Sequence, residues 1–125
     1  MKNKTIYKDE KGSVIVELAV LTLVLAALAL GFNYFANAIR KDIILQIAAR
    51  EGARTYATTQ SAARAMDMAS SELEGIENVV VTSFSHGSDR GVRASTTLSF
   101  YIPLAGDYDL TLEKAAVFHV EPLLD

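Results

Sequence analysis

Residues 12–39 read GSVIVELAVLTLVLAALALGFNYFANAI, and between Lys11 and Arg40 the only charged side chain is that of Glu17. A helix rises about 1.5 Å per residue, so the uncharged residues 18–39 exceed the roughly 30 Å hydrocarbon core of a bilayer. This stretch therefore predicts one transmembrane helix over residues 13–39. A carboxylate inside such a segment costs free energy, which indicates that Glu17 has a function.

The segment before the apolar stretch is short and charged. Residues 1–12 read MKNKTIYKDEKG, with four lysines, and the apolar residues follow without a gap. This composition is typical of a leader peptide rather than of folded structure. Cleavage between Gly12 and Ser13 would create an amino group four residues before Glu17. Because positions four apart are neighbours on a helix, this cation could pair with the carboxylate of its own chain or of a neighbouring subunit.

A second motif lies further along, where residues 47–54 read IAAREGAR. Together with GSVIVE at residues 12–17, it resembles TadE-like pseudopilins, the minor pilins of tight-adherence (Flp) type IV pili, which carry class III signal peptides. The resemblance implies that a prepilin peptidase cuts after Gly12 and that Glu17 aids subunit registration. It also implies packing through the N-terminal helix, with a family motif formed by Ala49, Arg50, Glu51, Gly52, Ala53 and Arg54.

The same resemblance implies the partners and the location. The expected partners are the prepilin peptidase, other pilins or pseudopilins, and membrane lipid. The expected location is the bacterial inner membrane, crossed once, with the N-terminus in the cytoplasm and residues 40–125 outside. Basic residues do not decide this orientation, because lysines before the apolar stretch are balanced by Arg40, Lys41, Arg50 and Arg54 after it. Whether the protein enters the filament or only assists assembly stays open.

Composition limits the other function classes. The chain has 125 residues, no cysteine and a formal charge of −3, and the leader contributes net positive charge to that sum. An acidic mature chain is a poor partner for nucleic acid. The absence of cysteine excludes disulfides and thiolate metal sites. No cofactor motif or small-molecule site is recognisable, so we expect no cofactor, no metal and no small-molecule substrate.

The apolar helix is expected to continue beyond the membrane. No proline occurs before Pro103, and apolar residues recur every four positions at Phe35, Ile39, Ile43 and Ile47. One helix over about residues 13–58 is the simplest interpretation. The small residues Ala49, Ala53 and Ala57, with Gly52 beside them, would let another backbone approach closely, which suits packing between subunits or, alternatively, a modest core face.

The remaining residues predict an α+β, pilin-like domain. A short helix is expected over residues 61–73, ended by Gly75. Strict alternation from Val92 to Ile102 predicts the clearest strand, with an earlier strand over residues 79–84 and a hairpin loop over 85–91. A third strand is expected over residues 109–121, broken near Glu113 and Lys114. This small antiparallel sheet of three to four strands needs a helix to pack on.

Catalytic interpretations are weak. Ser85, His86 and Asp89 supply the side chains of a triad, but they lie together on one glycine-rich loop, where the required geometry rarely arises. His86 fits a solvated turn, and His119 is expected to be partly buried in the last strand. We therefore expect a protein that is not an enzyme.

Two alternatives from other classes remain open. A general secretory signal could be cut after Ala38, which would release a soluble domain that begins at Ile39. Alternatively, no peptidase acts and the apolar stretch is the signal anchor of an accessory membrane protein. The mature N-terminus separates the three hypotheses, because they predict Ser13, Ile39 and Met1, respectively.

Overall fold

The computed structural model describes the backbone of residues 3–121 and the side chains of residues 10–121. Residues 1–2 of the expected leader and residues 122–125 of the expected domain lie outside this part. The elements, in chain order, are α1 (Asn3–Thr59), α2 (Ala62–Glu72), β1 (Val79–His86), β2 (Asp89–Ile102) and β3 (Gly106–His119). The α+β class, with a long helix, a short helix and then an antiparallel sheet, is confirmed. The chain divides into two compact units, residues 1–36 and residues 37–125.

The first unit is helical. Every side chain described within residues 10–36 is exposed, and the helix is long and apolar enough to be a candidate membrane span. It begins at Asn3 rather than near Ser13. Lysine and glutamate before Gly12 are good helix formers, and extending an existing helix costs far less than starting one. The bond between Gly12 and Ser13 consequently lies inside the helix.

In the second unit, α1 ends at Thr59, after two β-branched residues that are poorer helix formers. Thr58 and Thr59 direct their hydroxyls to the carbonyl oxygens of Arg54 and Thr55, at 3.0 and 2.6 Å. Gln60 follows with φ of 56°, the left-handed conformation that closes many helices. Its side-chain amide donates to the carbonyl of Ala57 at 2.9 Å. The chain thus turns within two residues and enters α2.

Helix α2 has a side-chain cap at its start. The hydroxyl of Ser61 accepts a hydrogen bond from the backbone N–H of Arg64 at 3.4 Å, as expected of an N-cap serine. Its buried face is formed by Ala65 and Ala69, and Leu73, directly after the helix, is buried as well. Gly75 follows with φ of 87°. The predicted helix is therefore confirmed within one residue at each end.

The sheet has the order β1-β2-β3 with antiparallel neighbours. Its first loop is shorter than the sequence indicated, because His86 already pairs with Asp89 and only Gly87 and Ser88 remain between the strands. Gly87 has φ of 58°, as the first central position of a two-residue type II′ hairpin turn requires. The expected loop over residues 85–91 is thus wrong, since tight turn geometry lets both strands extend.

The expected break in the third strand is also wrong. Strand β3 passes through Glu113 and Lys114 without interruption. Successive side chains of a strand point to opposite faces, and each of these two meets an opposite charge. Glu113 pairs with Arg93 at 3.1 Å, and Lys114 pairs with Asp42 of α1 at 3.3 Å. Two adjacent charges are therefore accommodated without a bulge.

The core lies between the last part of α1, α2 and the centre of the sheet. It contains mainly small side chains: Leu45, Ala48, Ala53, Ala65, Ala69, Leu73, Val92 and Ala94. Thr96 is buried as well, and its hydroxyl donates to the carbonyl of Glu77 at 2.8 Å. Ile39, Ile43 and Ile47, which recur at four-residue spacing on α1, lie outside this core and are 44–50% exposed. The buried face of α1 consists mainly of small residues, because these let the backbones of neighbouring elements approach closely.

Candidate functional site

The predicted processing site lies on the exposed surface of the first unit. Gly12, Ser13 and Glu17 are all helical and exposed. A Cβ placed on Gly12 would meet nothing within 4 Å. Ser13 and Glu17 are separated by about one helical turn, so the carboxylate can reach the backbone nitrogen that cleavage would free.

The surface around Glu17 is apolar. Large hydrophobic side chains surround it on the helix, and 52–67% of each is exposed: Val14, Ile15, Val16, Leu18, Val20 and Leu21. The nearby hydroxyl of Thr22 donates to the carbonyl of Leu18 at 2.8 Å, so it needs no external partner. Glu17 alone brings a charge into this surface between Lys11 and Arg40. An apolar environment would leave this carboxylate in need of a cation.

The small residues of the second motif are used by the fold of the same chain. Ala49, Gly52 and Ala53 are buried. A Cβ added to Gly52 would lie 3.0 Å from Cβ of Ala69 and 3.1 Å from Cγ1 of Val92. It would also lie 3.2 Å from the carbonyl oxygen of Ala65. The close approach expected at Gly52 thus occurs, with α2 and β2 as the neighbours. A role of these residues between subunits stays a prediction.

The charged residues of the motif, unlike its small residues, are not buried in the core. Arg50 and Arg54 are exposed and Glu51 is half-buried. Within residues 10–121, the salt bridges join Arg93 to Glu113, Lys114 to Asp42, and His119 to Asp89, and none of them includes a residue of this motif. Arg50 and Arg54 consequently remain available for other contacts.

The titratable residues of the sheet form no catalytic arrangement. Asp89 contacts Nδ1 of His119 at 2.8 Å, whereas Ser85 and His86 are exposed strand residues. His119 itself is exposed, which corrects the expectation of a partly buried histidine. Across the residues described, no group of three histidine, cysteine or acidic side chains could hold a metal ion.

Arg90 is a structural residue that the sequence did not identify. Its guanidinium donates to Gln60 Oε1 at 3.1 Å and to the carbonyl of Gly87 at 2.7 Å. It also lies 5.7 Å from the ring centroid of Tyr56, within the range of a cation–π contact. Arg90 therefore fastens the end of α1 to the first hairpin turn. Arg90 lies two residues before Val92, and residues two apart in a strand share a face. Extending the predicted strand back to Asp89 would therefore have placed Arg90 on the side that faces the helices.

An apolar N-terminal helix that is a candidate membrane span, followed by a small α+β domain, is consistent with a membrane-anchored, pilin-like protein. The family model described as TadE-like protein matches residues 12–54. The resemblance is therefore confirmed over the stretch that contains both motifs, and it indicates a protein associated with a tight-adherence pilus. No curated protein and no solved structure matches the chain.

Gly52 offers a direct test of the internal packing. We expect Gly52→Val to destabilise the second unit by about 1–3 kcal/mol, because the added atoms would overlap Ala69, Val92 and a backbone carbonyl that cannot rotate away. Thermal unfolding of the full chain in detergent, followed by near-ultraviolet circular dichroism, measures this loss.

The matched control is Gly31→Val, the same change in the same helix, where an added Cβ meets nothing within 4 Å. It is expected to leave the transition unchanged. Equal stability of the two variants would contradict the contact at Gly52.

Proposed function

We propose that the protein is a minor pilin-like subunit of a tight-adherence (Flp) type IV pilus, made with a leader that a prepilin peptidase removes between Gly12 and Ser13. One observation carries this proposal. The family match begins at Gly12 and covers a helix whose exposed, apolar N-terminal part contains a single carboxylate, Glu17. The same protein is proposed to act as a substrate and a building block, not as an enzyme.

Glycine at the cleavage position has a physical reason. A peptidase binds its substrate in an extended conformation, whereas the bond after Gly12 lies in a helix. Glycine is less favourable than alanine inside a helix by about 1 kcal/mol, so local unwinding is easiest there. Its lack of a side chain also allows a close backbone approach. Both effects favour cutting after Gly12 over the neighbouring bonds.

Cleavage then changes the electrostatics of the helix. The new amino group of Ser13 would be a cation at a helix N-terminus, where the backbone dipole already places partial positive charge. The carboxylate of Glu17, about one turn along the helix, would offset both the charge of the amino group and the partial charge of the dipole. In an assembly of apolar helices, the carboxylate could pair with the amine of its own chain or of a neighbour, and a buried charge without a partner is strongly unfavourable. This need for a partner would set the register between subunits.

The lateral surface of the proposed assembly continues beyond the membrane. Ile39, Ile43 and Ile47 follow one another at four-residue spacing on α1 and stay largely exposed. Such a stripe is the surface that a neighbouring helix would bury. The small residues around Gly52 are less suited to this role, because the same chain already covers them. We therefore assign contacts between subunits to the isoleucine stripe.

The proposed orientation has the N-terminus in the cytoplasm and the second unit outside the inner membrane. The candidate span supports a membrane anchor, and the resemblance supports the direction. Peptidase, other pilins and lipid are then the proposed partners.

Processing is tested at Gly12. We expect the mature chain to begin at Ser13 and Gly12→Leu to accumulate uncut, because a branched side chain would block the close approach to the bond. Mass spectrometry of the N-terminal peptide gives the result, and Gly31→Leu, the same change within the helix, is expected to be cut normally. An N-terminus at Ile39 or Met1 in the parent would favour a secretory signal or a plain anchor instead.

Orientation is tested with single cysteines, since the natural chain has none. We expect Thr111→Cys, on exposed β3, to react with a membrane-impermeant maleimide in intact spheroplasts. Glu10→Cys, placed in the uncut Gly12→Leu chain, is expected to react only after lysis. The opposite labelling pattern would mean that the chain crosses the membrane the other way.

Glu17 separates a pilin-like subunit from a plain anchor. Replacing its carboxylate with an apolar group removes a desolvation cost, so a plain anchor would be unharmed. We expect Glu17→Val to be exported and cut at Ser13 but to fail to co-purify with the other pilins, while Glu17→Asp is partly impaired by its shorter reach. Glu10→Val is the matched control, because that carboxylate leaves with the leader. Normal assembly of Glu17→Val would remove the main physical argument for a pilin-like role.

A further inference from the structure

A groove of about 470 Å³ follows the outer edge of β3. It is lined by Gln46 and Arg50 of α1 and by residues 114–118 of the strand. In the order β1-β2-β3, the outer edge of β3 pairs with no other strand among the residues described. Backbone N–H and C=O groups at such an edge are free to bind an additional strand. The groove therefore joins an open row of backbone groups to a helix wall.

The two cations of the groove differ in their environment. Lys114 is balanced by Asp42, with 3.3 Å between Nζ and Oδ2. Arg50 is exposed and takes part in none of the salt bridges described for residues 10–121. A guanidinium beside a strand edge is suited to a carboxylate, which it can bind through two parallel hydrogen bonds. The charge of the groove thus favours an acidic occupant at Arg50.

The other edge of the sheet is less suited to binding. Strand β1 has 8 residues, against 14 in β3, and its helix-facing side packs with α2. Near the groove, Val117 and Phe118 are 51% and 41% exposed, so an added strand would also bury apolar surface. Ile47 extends this apolar surface along α1, three residues from Arg50. These features select the edge of β3.

We propose that the edge of β3 accepts an extended segment of a different polypeptide as a fourth strand, with a carboxylate of that segment directed at Arg50. Backbone hydrogen bonds along the edge supply the affinity, and the carboxylate fixes the register. This is the general mode of β-strand addition. The inference does not depend on processing at Gly12.

A second copy of this chain fits the groove less well. The register with β2 places the even-numbered residues of β3 on the helix side, because Ala116 pairs with buried Val92 and Lys114 with buried Ala94. The side chains on that face are those of Tyr108, Leu110, Leu112, Lys114, Ala116 and Phe118. None is acidic. Two β3 strands joined in one sheet, with their helices on the same side, would bring cations together and supply no carboxylate.

The probes for the test are two capped peptides of nine residues in which threonine and valine alternate. One has glutamate and the other lysine at the central position. Binding of each fluorescently labelled peptide to the full chain in detergent is measured by polarisation. We expect the parent to prefer the glutamate peptide by about two- to fivefold, the range of a partly exposed ion pair. Hydrogen exchange is expected to slow across residues 114–118 and to stay unchanged across residues 79–86.

Two charge reversals make the test specific. Arg50→Glu is expected to reverse the preference in favour of the lysine peptide. Arg54→Glu makes the same change on the same helix, at an exposed position that does not line the groove, and is expected to leave the preference as in the parent.

The proposal is overturned by binding of neither peptide, by a preference that Arg50→Glu does not move, or by protection at β1 instead of β3. Sedimentation tests the remaining alternative. If the chain forms a dimer that the glutamate peptide dissociates, the occupant of the edge is a second copy of the chain and the proposal is wrong.

Discussion

The contact at Gly52 is the constraint on which the folded second unit depends. At this position α1 comes so close to α2 and β2 that one additional carbon would lie about 3 Å from atoms of both. The surrounding residues are small for the same reason, and Ala48, Ala49, Ala53, Ala65 and Ala69 are all buried. A larger side chain on any of these faces would separate the helices from the sheet. The alanine-rich composition of the IAAREGAR motif is therefore explained by packing within one chain.

This contact also determines which surfaces of α1 remain for partners. Since the small side is occupied, the isoleucines at 39, 43 and 47 and the arginines at 50 and 54 stay outside. A helix that packs Leu45 and its small residues inward and leaves three isoleucines largely exposed departs from the usual burial of a soluble helix. Exposed apolar stripes of this kind generally mark contacts with other chains. The pattern agrees with a subunit whose helix serves its own domain and an assembly at once.

The sequence predicted the type and order of the elements because their signals were local. Length and apolar content marked α1, Gly75 marked the end of α2, and alternation from Val92 marked β2. It failed where neighbours in space decided the outcome. The charges at Glu113 and Lys114 suggested a break, but Arg93 and Asp42 compensate them from other elements. The sequence also left open whether the small residues of α1 face their own domain or another subunit, because the close approach at Gly52 depends on where α2 and β2 lie.

The size of the buried residues also affects the free energy of unfolding of the second unit. Burying an alanine contributes about 0.8 kcal/mol per methyl-sized group, whereas a fully buried leucine contributes about 1.5–3 kcal/mol. Among the residues described, the largest fully buried side chains are those of Leu45, Val92 and Thr96. In a core with so few large residues, the free energy gained by burial exceeds the conformational entropy cost of folding by only a modest amount. Any partner that buries the isoleucine stripe or extends β3 adds apolar area to the folded form alone, and mass action then stabilises that form. Folding of this domain and binding of such a partner would then be coupled.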